Sequence, residues 1–209
     1  MKRKVMRTMN DNLVIIGAGG HGRVVADIAK KGGVYKNILF LDDSDTNNDK
    51  VCVSGMVKDY YKYIEGYDFV VAIGNNQVRE RIQRELQDKN VCFATLIHPN
   101  ACIGDGVVVG TGSVVMAGAV INSCAIIGEG VIVNTCSSVD HDCTVGAFSH
   151  ISVGAHLAGT VNVGARVFVG AGATVINNIN ICDDCMIGAG ATVVKNICAA
   201  GVYKGVPAK

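Results

Sequence analysis

Residues 103–127 read IGDGVVVGTGSVVMAGAVINSCAII, in which an aliphatic residue stands at every sixth position, and the same spacing continues to residue 193. The series begins at Ile103, ends at Val193 and has sixteen members without a miss. A period of six fits neither the 3.6 residues per turn of an α-helix nor the two-residue alternation of an open β-sheet. Hexapeptide β-helices have this period because their chain turns a corner after every six residues. The sequence therefore predicts a parallel β-helix over this segment.

The other positions of the hexad agree with this prediction. Glycine often follows the aliphatic residue directly, as at Gly110, Gly128 and Gly146, where we expect a tight corner that needs backbone freedom. The fifth position is small or apolar throughout. If three hexads form one triangular coil, residues eighteen apart stack about 4.8 Å apart in neighbouring coils. No insertion interrupts the register, so we expect a functional site on a face, at an edge or between chains.

The composition of the 209-residue chain changes sharply near residue 98. We predict a flexible N-terminus over residues 1–11, an α/β domain over 12–97 and the β-helix domain over 98–209. The formal net charge of +1 gives no electrostatic reason to expect nucleic acid or an anionic membrane as a partner.

Membrane insertion is not expected either. The charge-free run over 106–128 is apolar, but it is rich in glycine and keeps the six-residue period of the β-helix. The basic N-terminus is followed by an apolar run of only five residues, too short for a signal peptide. We therefore expect a cytoplasmic protein.

Nine cysteines are scattered through the chain, and without a secretion signal we expect them to be reduced thiols. Cys182 and Cys185 have the spacing of half a zinc site, but no second pair and no histidine at ligand spacing completes it. Position 185 is also a small-residue position of the hexad. We expect packing roles and no metal.

The first half of the chain has the alternation of strands and helices that is typical of a small parallel sheet. Its segments are predicted as strands over 12–17, 37–43, 69–74 and 92–97, helices over 23–31 and 58–64, a polar loop over 44–55, and a helix capped by Asn75 or Asn76. That last helix carries Val78, Ile82 and Leu86 as an apolar stripe among charged residues.

A glycine fingerprint, Gly17-x-Gly19-x-x-Gly22, lies between the first strand and helix, and Asp42 follows twenty residues later. Such glycines let the backbone approach a pyrophosphate at a helix N-terminus, so NAD, FAD or a nucleotide-sugar would all suit. The domain is too short for the second half of a full dinucleotide site, which favours a nucleoside diphosphate-linked ligand over NAD. A tight turn without any ligand is the remaining alternative.

The β-helix carries a motif that is suited to proton transfer. Asp140 and Asp142, which flank His141, are the only Asp, Glu, Lys or Arg residues between Glu129 and Arg166. Neighbouring carboxylates raise the basicity of a histidine, which makes His141 a candidate general base. In a regular strand both aspartates would point away from the ring, so we expect a field effect or a corner geometry.

Two further residues are placed by the eighteen-residue repeat. His150 lies half a coil from His141 on another face of the prism, so these two side chains would meet only across a subunit boundary. Gly159 stacks one coil beyond His141, where its backbone N–H is suited to bind an oxyanion. His98 and His156 are expected to have no such role.

Several motifs together resemble those of the bacterial sugar O- and N-acyltransferases with a left-handed β-helix, the family of sialic acid O-acetyltransferases and UDP-4-amino-sugar N-acetyltransferases. The similarity extends from Leu13 to the C-terminus and is carried by GAGGHG, FLDD, AIGNN, LIHP, NTCSSVDHDCTVG, FSHISVGAHLAG and GVYKGVPAK.

The resemblance implies a homotrimer that binds acetyl-CoA along the β-helix, between neighbouring chains. It implies His141 as general base with Asp142, often Glu in relatives, as its support. His150 and Gly159 are implied near the thioester, and the backbone of Ala171 and Ala189 along the rest of acetyl-CoA. The resemblance also implies that the N-terminal domain binds the nucleotide-sugar through Gly20, His21, Gly22, Asp42, Asp43, Gly74 and Asn75. Arg166, Lys195 and Lys204 are candidates for the CoA phosphates.

We therefore predict transfer of an acetyl group from acetyl-CoA to the 4-amino group of a UDP-linked 4-amino-4,6-dideoxy sugar. Direct attack is expected, because Cys143 occupies an inward hexad position and no other cysteine suits an acyl-enzyme. O-acetylation of sialic acid or another sugar hydroxyl is the nearest alternative. An NAD-dependent oxidoreductase and a noncatalytic trimer are alternatives of other classes.

Overall fold

The structure, a computed structural model, describes residues 10–44 and 51–209. Most of the N-terminus predicted to be flexible, and part of the predicted polar loop, therefore lie outside the described residues.

The N-terminal part is a four-stranded parallel sheet with a helix on each side. Its elements are β1 (Asn12–Ile16), α1 (Gly20–Gly32), β2 (Asn37–Leu41), β3 (Val53–Gly55), a 3₁₀ helix (Val57–Lys62), β4 (Asp68–Val71) and α2 (Asn76–Gln87). The strand order is β3-β2-β1-β4. The edge strand β3 was not predicted, because its three residues are too few to show a period.

Helix α1 begins earlier than predicted, and this matters for the site. The prediction started it at Arg23, whereas the N-cap is Gly19 and the Arg23 N–H already donates to the Gly19 carbonyl at 3.1 Å. The GHG segment thus forms the first helical turn. The helix ends at Gly33, whose left-handed φ of 71° suits glycine.

The predicted strand over 92–97 is wrong as a single element. Phe93 makes only an isolated parallel bridge to Phe69 in the α/β sheet, and Leu96–Ile97 (β5) already pairs with the β-helix. The chain crosses from one sheet to the other between these two contacts.

The parallel β-helix consists of two-residue strands, which are separated by four-residue corners as far as residue 193. These strands are β6 (Cys102–Ile103), β7 (Val108–Val109), β8 (Val114–Val115), β9 (Val120–Ile121), β10 (Ile126–Ile127), β11 (Ile132–Val133), β12 (Ser138–Val139), β13 (Thr144–Val145), β14 (His150–Ile151), β15 (His156–Leu157), β16 (Asn162–Val163), β17 (Phe168–Val169), β18 (Thr174–Val175), β19 (Asn180–Ile181), β20 (Met186–Ile187), β21 (Thr192–Val193) and β22 (Val202–Tyr203). Residues eighteen apart pair, as Ile127 does with Val145.

The aliphatic register forms the core of the prism. Every register residue is the second of its strand, and from Val115 to Val193 none is more than 3% exposed. Ile103, in the first coil, is 40% exposed. The predicted period and fold class are confirmed.

The conformational role of the glycines differs from the prediction. The left-handed φ angles fall at the fourth position of the hexad, for example at Gly112 and Asp142, and not at the second. The second-position glycines are needed for close approach: a Cβ on Gly110 would lie 2.5 Å from the Gly128 carbonyl carbon. Stacked corners, not turn angles, exclude a side chain there.

The strands form three sheets of five, seven and six strands, joined at three edges. Edge 1 follows the six-stranded sheet and includes 140–143 and 158–161. Edge 2 follows the five-stranded sheet and includes 146–149 and 164–167. Edge 3 follows the seven-stranded sheet and includes 152–155, 170–173 and 188–191.

The α/β part covers edge 2 and part of the seven-stranded sheet. Val114, Met116 and Ile132 of the β-helix share one apolar cluster with residues of β1, α1 and β4. In α2, the predicted apolar residues Ile82 and Leu86 pack toward the α/β sheet. The opposite, polar face, with Asn76, Arg79 and Gln83, is buried against edge 2. Within the described residues, no helix is long and apolar enough to cross a bilayer.

Candidate active site

A cavity of about 440 Å³ opens where β1, β2 and β4 end, in front of the N-terminus of α1. Five of the predicted nucleotide-sugar residues line it, namely Gly20, His21, Asp42, Asp43 and Gly74. The first N–H groups of a helix have no intrahelical partner, so this end of α1 presents donors to an anion.

Gly22, also predicted to bind substrate, does not line this cavity. It is buried in the first turn of α1, and a Cβ there would collide with the carbonyl oxygen of Gly17. The third glycine of the fingerprint therefore allows close packing of the helix on the loop.

The two aspartates after β2 hold local structure. Asp42 Oδ2 accepts from the Ala18 N–H at 2.6 Å, and Oδ1 accepts from the N–H of Ser44 at 2.8 Å and from its hydroxyl at 2.5 Å. Partial burial raises the pKa of Asp42, but these hydrogen bonds outweigh it and the net pKa is lowered. Asp43 Oδ1 accepts from the Val57 N–H at 2.8 Å. Asp42 thus shapes the glycine loop, and Asp43 borders the cavity with one oxygen engaged.

A second cavity, of about 350 Å³, lies between the start of α2 and edge 2 of the β-helix. Its walls are Gly74, Asn75, Asn76, Gln77, Arg166, Phe168, Asp184, Cys185 and Met186. Gly74 borders both cavities, and Asn75, predicted with the nucleotide-sugar residues, lies on this side. Asn75 also caps α2 by accepting from the Val78 N–H at 3.0 Å.

His141 lies outside the prism, on edge 1, with its side chain 58% exposed. Its Nδ1 is 2.8 Å from Asp142 Oδ2. The hydrogen bond to Asp142 is the largest cause of a raised pKa of His141, and the charges of Asp140 and Asp142 add to it. The geometry is that of a corner and not of a regular strand: the left-handed φ of 59° at Asp142 turns its carboxylate back toward the ring.

Asp140 supports the same corner through the backbone. Its Oδ1 accepts from the His141 N–H and from Asn122 Nδ2, both at 2.7 Å. With Nδ1 engaged by Asp142, the Nε2 atom of His141 is left to accept a proton.

Gly159 stacks directly below the His141 ring, as predicted from the eighteen-residue spacing. A Cβ at position 159 would lie 2.5 Å from His141 Nε2. The Thr160 N–H donates to the His141 carbonyl at 2.9 Å. The Gly159 N–H has no acceptor among the described residues.

His150 is in a different setting, on the seven-stranded sheet beneath the α/β part. It is 8% exposed, its Nε2 is 2.9 Å from Asn134 Nδ2, and it meets Phe168 edge-on at 5.1 Å. Burial, and after it the charge of Arg79, lowers the pKa of His150 to about 3. Burial and Arg79 likewise lower the pKa of His21 to about 4. Both rings are therefore neutral at physiological pH.

Ala171 and Ala189 lie on edge 3, away from edge 1 with His141 and Gly159. The sequence had already separated His150 from His141, and in the structure the other residues predicted to bind acetyl-CoA also divide between two edges of one prism. Arg166, a candidate for CoA phosphates, is held by Asp184 at 2.7 and 2.8 Å. The guanidinium of Arg166 is thus engaged by a carboxylate, whereas Lys195 and Lys204 are exposed.

Three cysteines of the β-helix, Cys143, Cys182 and Cys185, are packed against neighbouring groups. Cys143 is buried with its thiol 3.1 Å from the Ala158 carbonyl oxygen, and burial raises its pKa. Cys182 and Cys185 are 3.5 Å apart, sulfur to sulfur, and no group of three metal-ligating side chains occurs in the described residues.

Arg79 was missed by the sequence analysis. It is 1% exposed and bonds to both the α/β part and the β-helix. Its only sequence signal was the spacing of Asn76, Arg79 and Gln83 along one face of α2, which looks like an ordinary solvated face.

A nucleotide-sized cavity at a helix N-terminus, joined to a parallel β-helix with an exposed, acid-paired histidine, defines the class of hexapeptide-repeat acyltransferases. The comparisons with known proteins lead to the particular family. The family model described as "PglD N-terminal domain" matches residues 12–86.

The chain is 40% identical to the acetyltransferase domain of PglB from Neisseria gonorrhoeae FA1090, solved in complex with acetyl coenzyme A. That match covers 96% of this chain and 98% of the other, with a TM-score of 0.92. PerB from Caulobacter crescentus, solved with CoA and GDP-perosamine, is 37% identical over 95% of this chain and 96% of its own, with a TM-score of 0.88.

The chain is also 34% identical to the UDP-N-acetylbacillosamine N-acetyltransferase of Bacillus subtilis (strain 168) over 111 residues. This alignment spans about half of each chain, 51% in both cases. The protein belongs to the sugar acyltransferase family with a left-handed β-helix. The expected class, an acyltransferase with acetyl-CoA as co-substrate, is confirmed at the level of the family. The relatives also favour it over an NAD-dependent oxidoreductase.

Proposed function

We propose that the protein transfers the acetyl group of acetyl-CoA to the 4-amino group of a UDP-linked 4-amino-4,6-dideoxy sugar. The observation that carries this proposal is the exposed His141, with Nδ1 held by Asp142 and Nε2 facing out above Gly159. The names of the relatives support nitrogen as the acceptor atom over a sialic acid hydroxyl.

The acceptor nucleotide is assigned to the cavity at α1. Its pyrophosphate would accept from the N–H groups of Gly20 and His21, where the helix dipole favours negative charge. The base and ribose would lie toward Asp43. Gly74 leads from this cavity into the second one, which has room for the amino sugar beside Phe168 and Asn75.

The chemical step is direct attack of the amine on the thioester. The amine nitrogen forms the new C–N bond to the thioester carbonyl carbon, and its proton passes to His141 Nε2. The tetrahedral oxyanion then collapses, the C–S bond breaks, and His141 returns the proton to the sulfur, so that CoA leaves as the thiol. Asp142 raises the basicity of the ring and orients it. The Gly159 N–H would stabilise the oxyanion. An acyl-enzyme is not part of this mechanism, since Cys143 is buried.

Two chains are needed for this reaction. His141 lies on edge 1, whereas the acceptor cavities lie at edge 2 and the seven-stranded sheet, so one prism cannot bring them together. Ala171 and Ala189 lie on edge 3, which a neighbouring chain can bring beside edge 1. A homotrimer with acetyl-CoA between its chains meets both requirements.

We place the enzyme in the cytoplasm. All nine cysteines are free thiols, three of them buried or packed at Cys143, Cys182 and Cys185, and reduced thiols are typical of that compartment.

The test is release of CoA thiol from acetyl-CoA against a panel of UDP-, GDP- and dTDP-linked 4-amino sugars and sialic acid, with the product identified by mass spectrometry. We expect turnover with a UDP-linked amino sugar and a loss of about 10² to 10⁴ in His141→Ala. Turnover with sialic acid alone would indicate an O-acetyltransferase. Near-normal turnover in His141→Ala would remove His141 from its role.

A further inference from the structure

Arg79, in the second turn of α2, is among the largest fully buried side chains of the protein. Within the described part of the chain, no carboxylate hydrogen-bonds to its guanidinium, and the nearby Glu80 acts on it only through its charge. A buried cation is costly unless all its donors are satisfied. Such a residue calls for an explanation beyond folding alone.

Every N–H group of the guanidinium donates a hydrogen bond to an oxygen acceptor. Nε donates to the Gly130 carbonyl at 2.7 Å, and Nη1 donates to those of Ile73 at 2.9 Å and Gly74 at 3.2 Å. Nη2 donates to Asn76 Oδ1 at 2.9 Å and to the carbonyls of Phe148 at 2.6 Å and Ser149 at 3.3 Å.

Four of these acceptors belong to two separate segments of the chain. Ile73 and Gly74 form the loop after β4, which borders both cavities. Phe148 and Ser149 form the corner that leads into His150 on β14. The planar fork of one arginine therefore spans the junction between the α/β part and the β-helix at the point where the cavities meet.

The position has an electrostatic effect as well. The charge of Arg79 adds to burial in lowering the pKa of both His21 and His150. Each ring keeps a buried nitrogen without a partner in the described residues, Nε2 of His21 and Nδ1 of His150. The ring of His21 lines the cavity assigned to the nucleotide, and His150 directly follows the corner whose carbonyl groups Arg79 binds.

We propose that Arg79 is a positioning residue for the acceptor: it fixes the Gly74 loop against the corner before His150 and so sets where the nucleotide-sugar lies relative to the β-helix. This inference rests on the proposed function, because it assigns the two cavities to the acceptor. The inference predicts weaker binding of the acceptor when the guanidinium of Arg79 is removed, and little change in the binding of acetyl-CoA.

Gln83 provides a matched control one turn further along the same buried face. It is fully buried, its Nε2 donates to the Thr111 carbonyl at 3.3 Å, and its Oε1 has no partner in the described residues. Its hydrogen bond goes to another corner of edge 2, and not to the Gly74 loop or the corner before His150. Gln83→Met therefore changes the α2 interface without removing the hydrogen bonds of Arg79.

The experiment measures calorimetric Kd values for UDP-4-amino-4,6-dideoxyglucose and for acetyl-CoA in wild type, Arg79→Lys, Arg79→Ala and Gln83→Met. Lysine keeps the charge but not the fork. We expect the nucleotide-sugar Kd to rise about tenfold or more in both Arg79 variants, and the acetyl-CoA Kd to change much less. Free guanidinium at a sub-denaturing concentration should restore nucleotide-sugar binding in Arg79→Ala alone.

An unchanged nucleotide-sugar Kd in Arg79→Lys would overturn the inference. So would an equal loss for both ligands, or a loss in Gln83→Met as large as in Arg79→Lys, since either marks a merely structural role. If Arg79→Ala does not fold, Arg79→Lys decides alone, and failure of both to fold counts against a positioning role. Wild type that does not bind the UDP-linked amino sugar would instead overturn the proposed function.

Discussion

Asp142 shows how one backbone angle decides the chemistry of a neighbouring side chain. It is at the fourth hexad position, where the chain requires a left-handed φ, and aspartate tolerates that conformation better than most residues. The turn brings its carboxylate within 2.8 Å of His141 Nδ1, although adjacent residues of a strand point to opposite faces.

Replacing Asp142 by asparagine tests this contact. The fold should persist, because asparagine also tolerates a left-handed φ. Asp142 raises the pKa of His141, so the loss of its carboxylate lowers that pKa. The base then stays unprotonated to lower pH. The acidic limb of the kcat/KM profile therefore moves to lower pH. The plateau rate should fall about tenfold or more, because the ring is less basic.

Asp140→Asn is the matched control, since Asp140 contacts the His141 backbone and affects the ring only through its charge. Its acidic limb should move less. An equal movement in both variants, or none in Asp142→Asn, would show that the contact with Nδ1 does not set the basicity of His141.

Gly159→Ala tests the stacking of the His141 ring. Residue 159 does not have a left-handed φ, so alanine is tolerated by the backbone, but its Cβ would lie 2.5 Å from Nε2 and displace the ring. We expect kcat to fall about 10²-fold, the usual cost of misplacing a reacting group by an ångström. The thermal midpoint should stay close to that of wild type.

Gly32→Ala, with no atom within 4 Å of the new Cβ, is the control for this exchange. An unchanged kcat in Gly159→Ala would mean that the His141 ring does not need the orientation seen here.

At the scale of elements, the start of α1 depends on two glycines with different roles. A Cβ on Gly22 would collide with the Gly17 carbonyl oxygen, part of a backbone that cannot move aside. A Cβ on Gly20 would meet nothing closer than Arg23 Nη2 at 3.9 Å. One glycine is required for packing, and the other leaves open space in front of the helix.

Urea unfolding of Gly22→Ala and Gly20→Ala should separate the two roles. We expect Gly22→Ala to lower the free energy of unfolding by roughly 1–3 kcal/mol, as overpacking does. Gly20→Ala should be neutral or slightly stabilising, because alanine is the better helix former. Equal losses in the two variants would mean that α1 can shift to accept a side chain at 22.

At the scale of the whole molecule, the proposed site is divided between chains. His141 is on edge 1 of the prism, and the α1 cavity belongs to the domain that covers edge 2. The domain is held there by buried contacts of Arg79 and by the apolar cluster around Ile132. Within one chain the two halves therefore keep a fixed separation.

Mixed assemblies test this division. Gly20→Glu places a negative charge at the pyrophosphate position, where there is space for it, and His141→Ala removes the base. Each chain alone should be inactive, whereas random co-assembly in equal amounts should restore about a quarter of the wild-type activity. A quarter is expected because half of the chains supply each intact half-site. No recovery would mean that each chain uses its own histidine and cavity.

The sequence by itself determined the β-helix, its sixteen-member register and the stacking of Gly159 on His141, because a strict repeat makes eighteen-residue neighbours readable from spacing alone. It also located the cavity at α1, since a glycine loop between strand and helix is a local signal.

Only the tertiary structure decided how these parts meet. The turn of Asp142 toward His141 depends on the φ of a stacked corner, and the burial of His150 and Arg79 depends on a domain that folds back over the prism. No spacing along the chain encodes these contacts, because the first depends on a backbone angle and the others join the α/β part to the β-helix. The polar face of α2 looks solvated in the sequence, and only packing against the carbonyls of edge 2 makes it an interface.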